Sequence, residues 1–181
     1  IESLTSLCPD VDDEVLRDFV SRIDPEYFER FQLDAVAQHI RLASRLTPDH
    51  PCELSVLDKG QGRSEISVVA YDYFSEFAAI CGALSAFGLN IEEGRIYTFR
   101  EVFSSPPVRR EAYPATRRSR RRPGLSRKKI VDVFLVHPIE RAGFPSPQHH
   151  ALRQTISEVV QLLDTGQYEE TRQYVNRRLV E

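Results

Sequence analysis

Six residues carry the clearest chemistry in this 181-residue chain: Asp72, Tyr73, Phe74, Ser75 and Glu76, which form an acidic loop, and Asn90, which opens a strand. The order of strand (65–71), loop, helix and second strand (Gly88-Leu-Asn-Ile91) places that loop and Asn90 where a small polar ligand could be held. The same residues have a plain alternative, because Asp or Ser at a helix start caps its first turn and Asn suits a turn. Asp132 interrupts an apolar strand, the kind of position that perturbs a pKa. His149 and His150 are adjacent at a helix start, so their rings diverge, and no Cys or carboxylate stands at ligand spacing; no metal is expected. Asp49-His50 precedes a proline without metal partners, and there is neither a glycine-rich phosphate loop nor a Ser or Cys nucleophile motif. We therefore expect no catalytic residues, no cofactor and no enzyme within this segment.

The elements that must position these residues follow from periodicity. The first fifty residues read as helices: Val11, Val15, Leu16, Phe19, Val20 and Ile23 form one stripe after a cap at Asp10, and Asp24-Pro25 restarts the chain with a cap and a first-turn proline. A third helix, 33–46, carries Val36, Ile40, Ala43 and Leu46 and stops before Pro48. From Cys52 the period becomes two, through Leu54 and Val56, then Gly60-Gln61-Gly62, then Ile66, Val68 and Ala70, which is a hairpin. Phe77, Ile80, Cys81 and Leu84 share a helix face that Gly88 terminates, and a strand from Asn90 to Phe99 follows with Gly94 as a bulge or close-approach point. Residues 129–136 are nearly all apolar and β-branched, which suits a strand buried on both faces. Two helices end the chain, with Leu152, Ile156, Val159, Val160 and Leu163 on the first, Gly166 between, and Tyr168, Val175 and Leu179 on the second.

Bulk properties narrow the classes. No apolar run approaches the ~20 residues of a membrane span, and the start lacks a basic and apolar leader. Three cysteines, odd in number and far apart, argue against a disulfide framework, so a cytoplasmic setting is expected. The chain begins at Ile1 and has no methionine, from which we expect a piece of a longer polypeptide whose enzyme, if any, lies outside it. The net charge of -3 hides an asymmetry: residues 109–129 hold ten Lys or Arg and one Glu, leaving about -12 on the rest. Residues 104–128, with four prolines and eight arginines, are expected to be a disordered or adaptable insertion. Their charge suits an acidic protein partner or the chain's own acidic body; with Tyr113 as the one interleaved aromatic, nucleic acid is not the expected partner.

The stretches Asp72-Tyr-Phe-Ser-Glu76, Ile80-Cys-Gly-Ala-Leu84, Gly88-Leu-Asn-Ile91 and Asp132-Val-Phe, in that order, resemble an ACT domain, the βαββαβ ligand-sensing fold. Within that family the likeness is closest to the ACT regulatory region of bacterial protein-PII uridylyltransferases, and His39-Ile-Arg-Leu42 resembles the segment preceding the first ACT unit there. The resemblance implies an α+β fold, an antiparallel ferredoxin-like sheet with helices on one face, flanked by N- and C-terminal helices. It divides the chain into a helical segment (1–50), an ACT-like domain (51–165) and a C-terminal helix (166–181). It implies regulation by a free amino acid such as glutamine, held at a subunit or domain interface between the Asp72–Glu76 loop and Asn90, and therefore a homodimer or an intramolecular ACT pair. The loop has Phe74 and Ser75 where the family has proline and glycine, and glycine is what lets a backbone N–H approach a ligand carboxylate. That departure favours an alternative, a ligand-free ACT-like interaction and dimerisation module. Asp132 matches the family's D-x-F pattern, which implies a structural hydrogen-bonding role. The fourth ACT strand either lies beyond residue 181 or is replaced at the sheet edge by 52–57.

Overall fold

A computed structural model describes residues 2–73, 76–100, 128–139 and 144–180; the expected insertion lies outside these apart from its last residue. Four helices come first, α1 (Glu2–Leu7), α2 (Asp13–Arg22), α3 (Pro25–Arg30) and α4 (Leu33–Ser44). Side-chain caps decide where two of them begin. Asp12 accepts the Glu14 N–H at 2.7 Å, and Asp24 accepts the Glu26 N–H at 3.0 Å with Pro25 in the first turn. The cap of α2 is thus Asp12 and not Asp10, because the Val11 N–H closes a turn onto Cys8 O and delays the helix; Asp10 pairs instead with Arg41 at 3.2 Å.

The hairpin forms as its alternation requires, with β1 (Cys52–Gly60) and β2 (Arg63–Tyr71) joined through Gly60, Gln61 and Gly62 at φ 75°, 57° and 74°. Three successive left-handed residues need glycine at most of these positions. Then come α5 (Glu76–Ala86), β3 (Leu89–Thr98), β4 (Lys129–Pro138), α6 (Ser146–Asp164) and α7 (Tyr168–Val180). The sheet order is β1-β2-β4-β3 with every neighbouring pair antiparallel, so β2 and β3 run parallel with β4 between them. The fold is therefore α+β, in the ferredoxin-like arrangement the resemblance implies. Among the described residues, β1 takes the edge beside β2 where a fourth βαββαβ strand would lie, which is the second of the two expectations for that strand.

Alternation along the strands sends side chains into two layers. Ile66, Val68, Ala70, Ile130, Phe134 and Val136 pack beneath Ile80 and Leu84 of α5 and Leu152, Ile156 and Val160 of α6. On the opposite face Val69, Val131, Val133 and Phe99 meet Leu16, Phe19, Tyr27, Val36 and Ile40. Helices α5 and α6 do lie on one face; the N-terminal helices cover the other, and β4 is buried on both sides. Burying each large apolar side chain contributes roughly 1.5–3 kcal/mol, so α2–α4 are joined to the sheet by much of the molecule's hydrophobic energy. α7 docks on α5 through Gly82, where an added Cβ would lie 2.6 Å from Val175 Cγ1. Among the described residues no helix is long and apolar enough to cross a membrane.

Candidate functional site

Asp72 leaves β2 exposed, its N–H donating to Lys128 O at 3.0 Å. Tyr73 is half-buried and reaches across to α6, its hydroxyl donating to Asp164 Oδ1 at 3.0 Å. Phe74 and Ser75 lie outside the described residues. Glu76 is 3% exposed, and its Oε2 accepts the Tyr73 N–H at 3.1 Å, the backward reach of a capping-box glutamate. Its other oxygen, Oε1, has no hydrogen-bond partner among the described residues. Burial pushes the Glu76 carboxyl up to about 9, against the Tyr73 N–H, and nearby Asp132 and Asp72 push it further. At neutral pH Glu76 is thus protonated, and a neutral carboxyl offers no charge to an ammonium group; exposed Asp72 is the member of the loop positioned for that.

Asp132 corrects an expectation. It is fully buried in β4, between Val68 of β2 and Ile96 of β3, and neither carboxyl oxygen has a hydrogen-bond partner among the described residues. Among the described residues no structural hydrogen bond forms, and the two cross-strand neighbours, Val68 and Ile96, are aliphatic. Burial, and then the charge of Asp72, push its pKa up to about 7. The thiols nearby feel the same surroundings: Cys52 is pushed well up by burial and then by Glu76, and Cys81 by burial and then by Asp132. Glu76, Asp132, Cys52 and Cys81 thus share one electrostatic neighbourhood between α5 and the sheet. All three cysteines are free thiols.

Asn90 stands at the other end of the sheet. It is exposed, with Nδ2 3.2 Å from His137 Nε2, while His137 Nδ1 lies 2.9 Å from Glu92 Oε1. Tyr71 pairs with Lys129 and Asn90 with His137, eight residues further along β4. At ~3.3 Å per residue this is about 26 Å. Within one copy the loop and Asn90 are not brought together. The sequence reading also missed a buried polar line on the opposite face: His39 Nδ1 lies 2.6 Å from Tyr27 Oη and Nε2 2.8 Å from Ser67 Oγ. Burial holds His39 down at about 4, so it is neutral, and pushes the Tyr27 hydroxyl far up. The available signal was a histidine inside the apolar stripe of α4, between Val36 and Ile40. The register shift in β3 falls between Ile91 and Glu93, and at Gly94 the Phe134 ring lies 3.5 Å from where a Cβ would stand.

Fold and site together define an α+β unit with an antiparallel, ferredoxin-like sheet. Among described residues, no cluster of three or more His, Cys, Asp or Glu is placed to hold a metal. No family model matches the chain. The chain is similar to the bifunctional uridylyltransferase/uridylyl-removing enzyme of Azospirillum brasilense, 30% identical over 76 residues. That stretch covers 41% of this chain and 8% of that enzyme, so the chain corresponds to a small part of the enzyme's length.

Proposed function

We propose that this chain is a regulatory ACT-type unit of a larger cytoplasmic protein, one that senses a free amino acid, with glutamine as the first candidate. Binding would be passed on by ligand-linked domain rearrangement or dimerisation, through the ligand's differential affinity for the two arrangements. The observation that carries the reading is the coincidence of a uridylyltransferase-like stretch with a ferredoxin-like sheet whose β3 edge is unpaired among the described residues. Geometry supports a pair of units. If β3 paired antiparallel with its counterpart about a two-fold axis passing beside Gly94, Asn90 of one copy would come level with Thr98 of the other, the end at which Asp72 leaves the sheet. Ile96 on β3, 51% exposed, and Phe77 on α5, 40% exposed, flank that edge as apolar contacts. The unit itself is not an enzyme in this reading, and its arginine run meets an acidic protein partner.

The experiment is thermal denaturation of the purified chain against the twenty amino acids, with Asn90→Ala in parallel. A ligand at a hundred times its Kd stabilises the folded state by about 2.7 kcal/mol. Stabilisation by one or a few amino acids supports sensing; none at millimolar concentration refutes it. A second reading has its own support. One oxygen of Glu76 is occupied by the Tyr73 N–H and the Asn90 amide by His137, which suits an interaction module that binds partners through β3 and no small molecule.

A further inference from the structure

Asp132 alternates with Ile130 and Phe134, which pack under α5 and α6, so its carboxyl points into that same layer. There its charge acts on Glu76, in the first turn of α5. Both side chains are buried, and three of their four carboxyl oxygens, Glu76 Oε1 and both of Asp132, have no hydrogen-bond partner among the described residues. A carboxyl so placed is tolerated as a neutral acid, whereas its charged form has nothing to answer it. The titratable groups that act on the pair are acids and thiols: Asp72 at the end of β2, Cys52 on β1 and Cys81 on α5. β2 and β3 present Val68 and Ile96 to Asp132, and α6 adds an aliphatic face, while its Arg153 acts on Cys52 from beside Glu53. The cover is thin on one side, where Ile96, directly across from Asp132, and Phe77, next to Glu76, are both exposed.

The start of α5 is held by few bonds. The Glu76 N–H donates to Tyr73 O at 3.3 Å, the Tyr73 N–H to Glu76 Oε2 at 3.1 Å, and the Tyr73 hydroxyl to Asp164 at 3.0 Å. β4, in contrast, is paired along its length with β2 and β3. Lifting the first turn of α5 therefore brings water to Asp132 without unpairing the sheet. We infer that Asp132 and Glu76 form a proton-operated latch on the start of α5: with both carboxyls neutral the first turn stays docked and holds Tyr73, and when Asp132 gives up its proton the turn lifts and Tyr73 is released. Asp132 is the trigger, because burial and Asp72 place its titration at about 7, whereas Glu76, at about 9, stays protonated through neutral pH. The latch does not depend on amino-acid sensing; it acts on the loop whether or not a ligand is held there.

The test is native-state amide hydrogen exchange of the full chain by NMR from pH 5 to 8, each rate divided by its intrinsic rate to give a protection factor. Opening releases the Asp132 proton, so protection of the Tyr73 and Glu76 amides should fall by up to about tenfold per pH unit from 5 to 7 and level off above 7. The same amides should open at least about tenfold more often than those of Val69 and Val131, which are paired within the sheet. Asp132→Asn should remove the slope, and Glu76→Gln, neutral and still able to accept the Tyr73 N–H, should keep it. A flat profile in the wild type, a slope that survives in Asp132→Asn or is lost in Glu76→Gln, or protection equal to that of Val69 and Val131 overturns the inference. If Asp132→Asn does not fold, Asp72→Asn, a change at an exposed side chain, carries the test. Removing that charge should move the levelling-off to lower pH, and an unmoved profile overturns the inference.

Discussion

Replacing Asp132 with asparagine tests the electrostatics of the buried sheet. The carboxyl has a pKa of about 7 in the fold against 3.8 ordinarily, so the folded state holds a proton that the unfolded chain releases above about pH 4. Stability from this group is complete below pH 4 and is lost as pH rises through 7. At ~1.4 kcal/mol per pKa unit, the three-unit difference corresponds to a total of about 4 kcal/mol, of which about 2 kcal/mol falls between pH 5 and pH 7. The amide of the Asp132→Asn variant carries no titrating proton, has nearly the same shape as the carboxyl, and leaves Glu76 in both proteins. Urea unfolding at half-unit steps from pH 5 to 8 should give a wild-type curve that declines more steeply than that of Asp132→Asn by about 2 kcal/mol over two pH units. The amide is also unpartnered, so the absolute offset between the two proteins is not the readout; the slope is. Parallel curves would refute the argument that burial without a hydrogen bond governs Asp132.

Four further outcomes are expected. His39, held at about 4, gives the opposite slope: its stabilisation is present above pH 6.5 and lost as pH falls towards 4, so His39→Gln should flatten the acid limb of the same urea series. Gly82→Ala should destabilise by roughly 1–3 kcal/mol through the clash with Val175, less the ~1 kcal/mol that alanine adds to a helix, and should speed proteolysis between α6 and α7. Tyr73→Phe should cost about 1 kcal/mol in chemical denaturation by removing the bond to Asp164. Ile96→Lys, at an exposed position on β3, should leave the melting temperature of the monomer unchanged and abolish any self-association seen by sedimentation.

What could be read from the chain and what could not divide along physical lines. Alternation from Cys52 to Ala70, the Gly60-Gln61-Gly62 turn and the apolar run at 129–136 are local signals; they placed β2 and the central strand within two residues, while β1 runs on to Gly60, three residues past its expected end at 57. That β1 becomes an edge depends on the long-range pairing of β4 with the other side of β2, so periodicity left two options there. Helices α2, α3 and α4 were legible as helices, whereas α1 was not, and which sheet face they cover depends on contacts such as Phe19 with Phe99, 80 residues apart in the chain and 5.1 Å between rings. The cap was misplaced by two residues because Asp10 and Asp12 have equal propensity and a single turn bond at Val11 decides between them. At the candidate site, the acidic loop and Asn90 were visible as residue types, whereas their separation along β4 is a matter of register.

The central claim is that an amino acid binds and that its binding is linked to how two units associate. Sedimentation equilibrium of the chain across a concentration series, with and without saturating glutamine and then the other amino acids, measures both at once. The account predicts that an amino acid which binds changes the association constant by the same factor by which association changes its affinity, as linkage requires. An association constant that no amino acid alters, in a folded chain that also gives no heat with any of them, would contradict it.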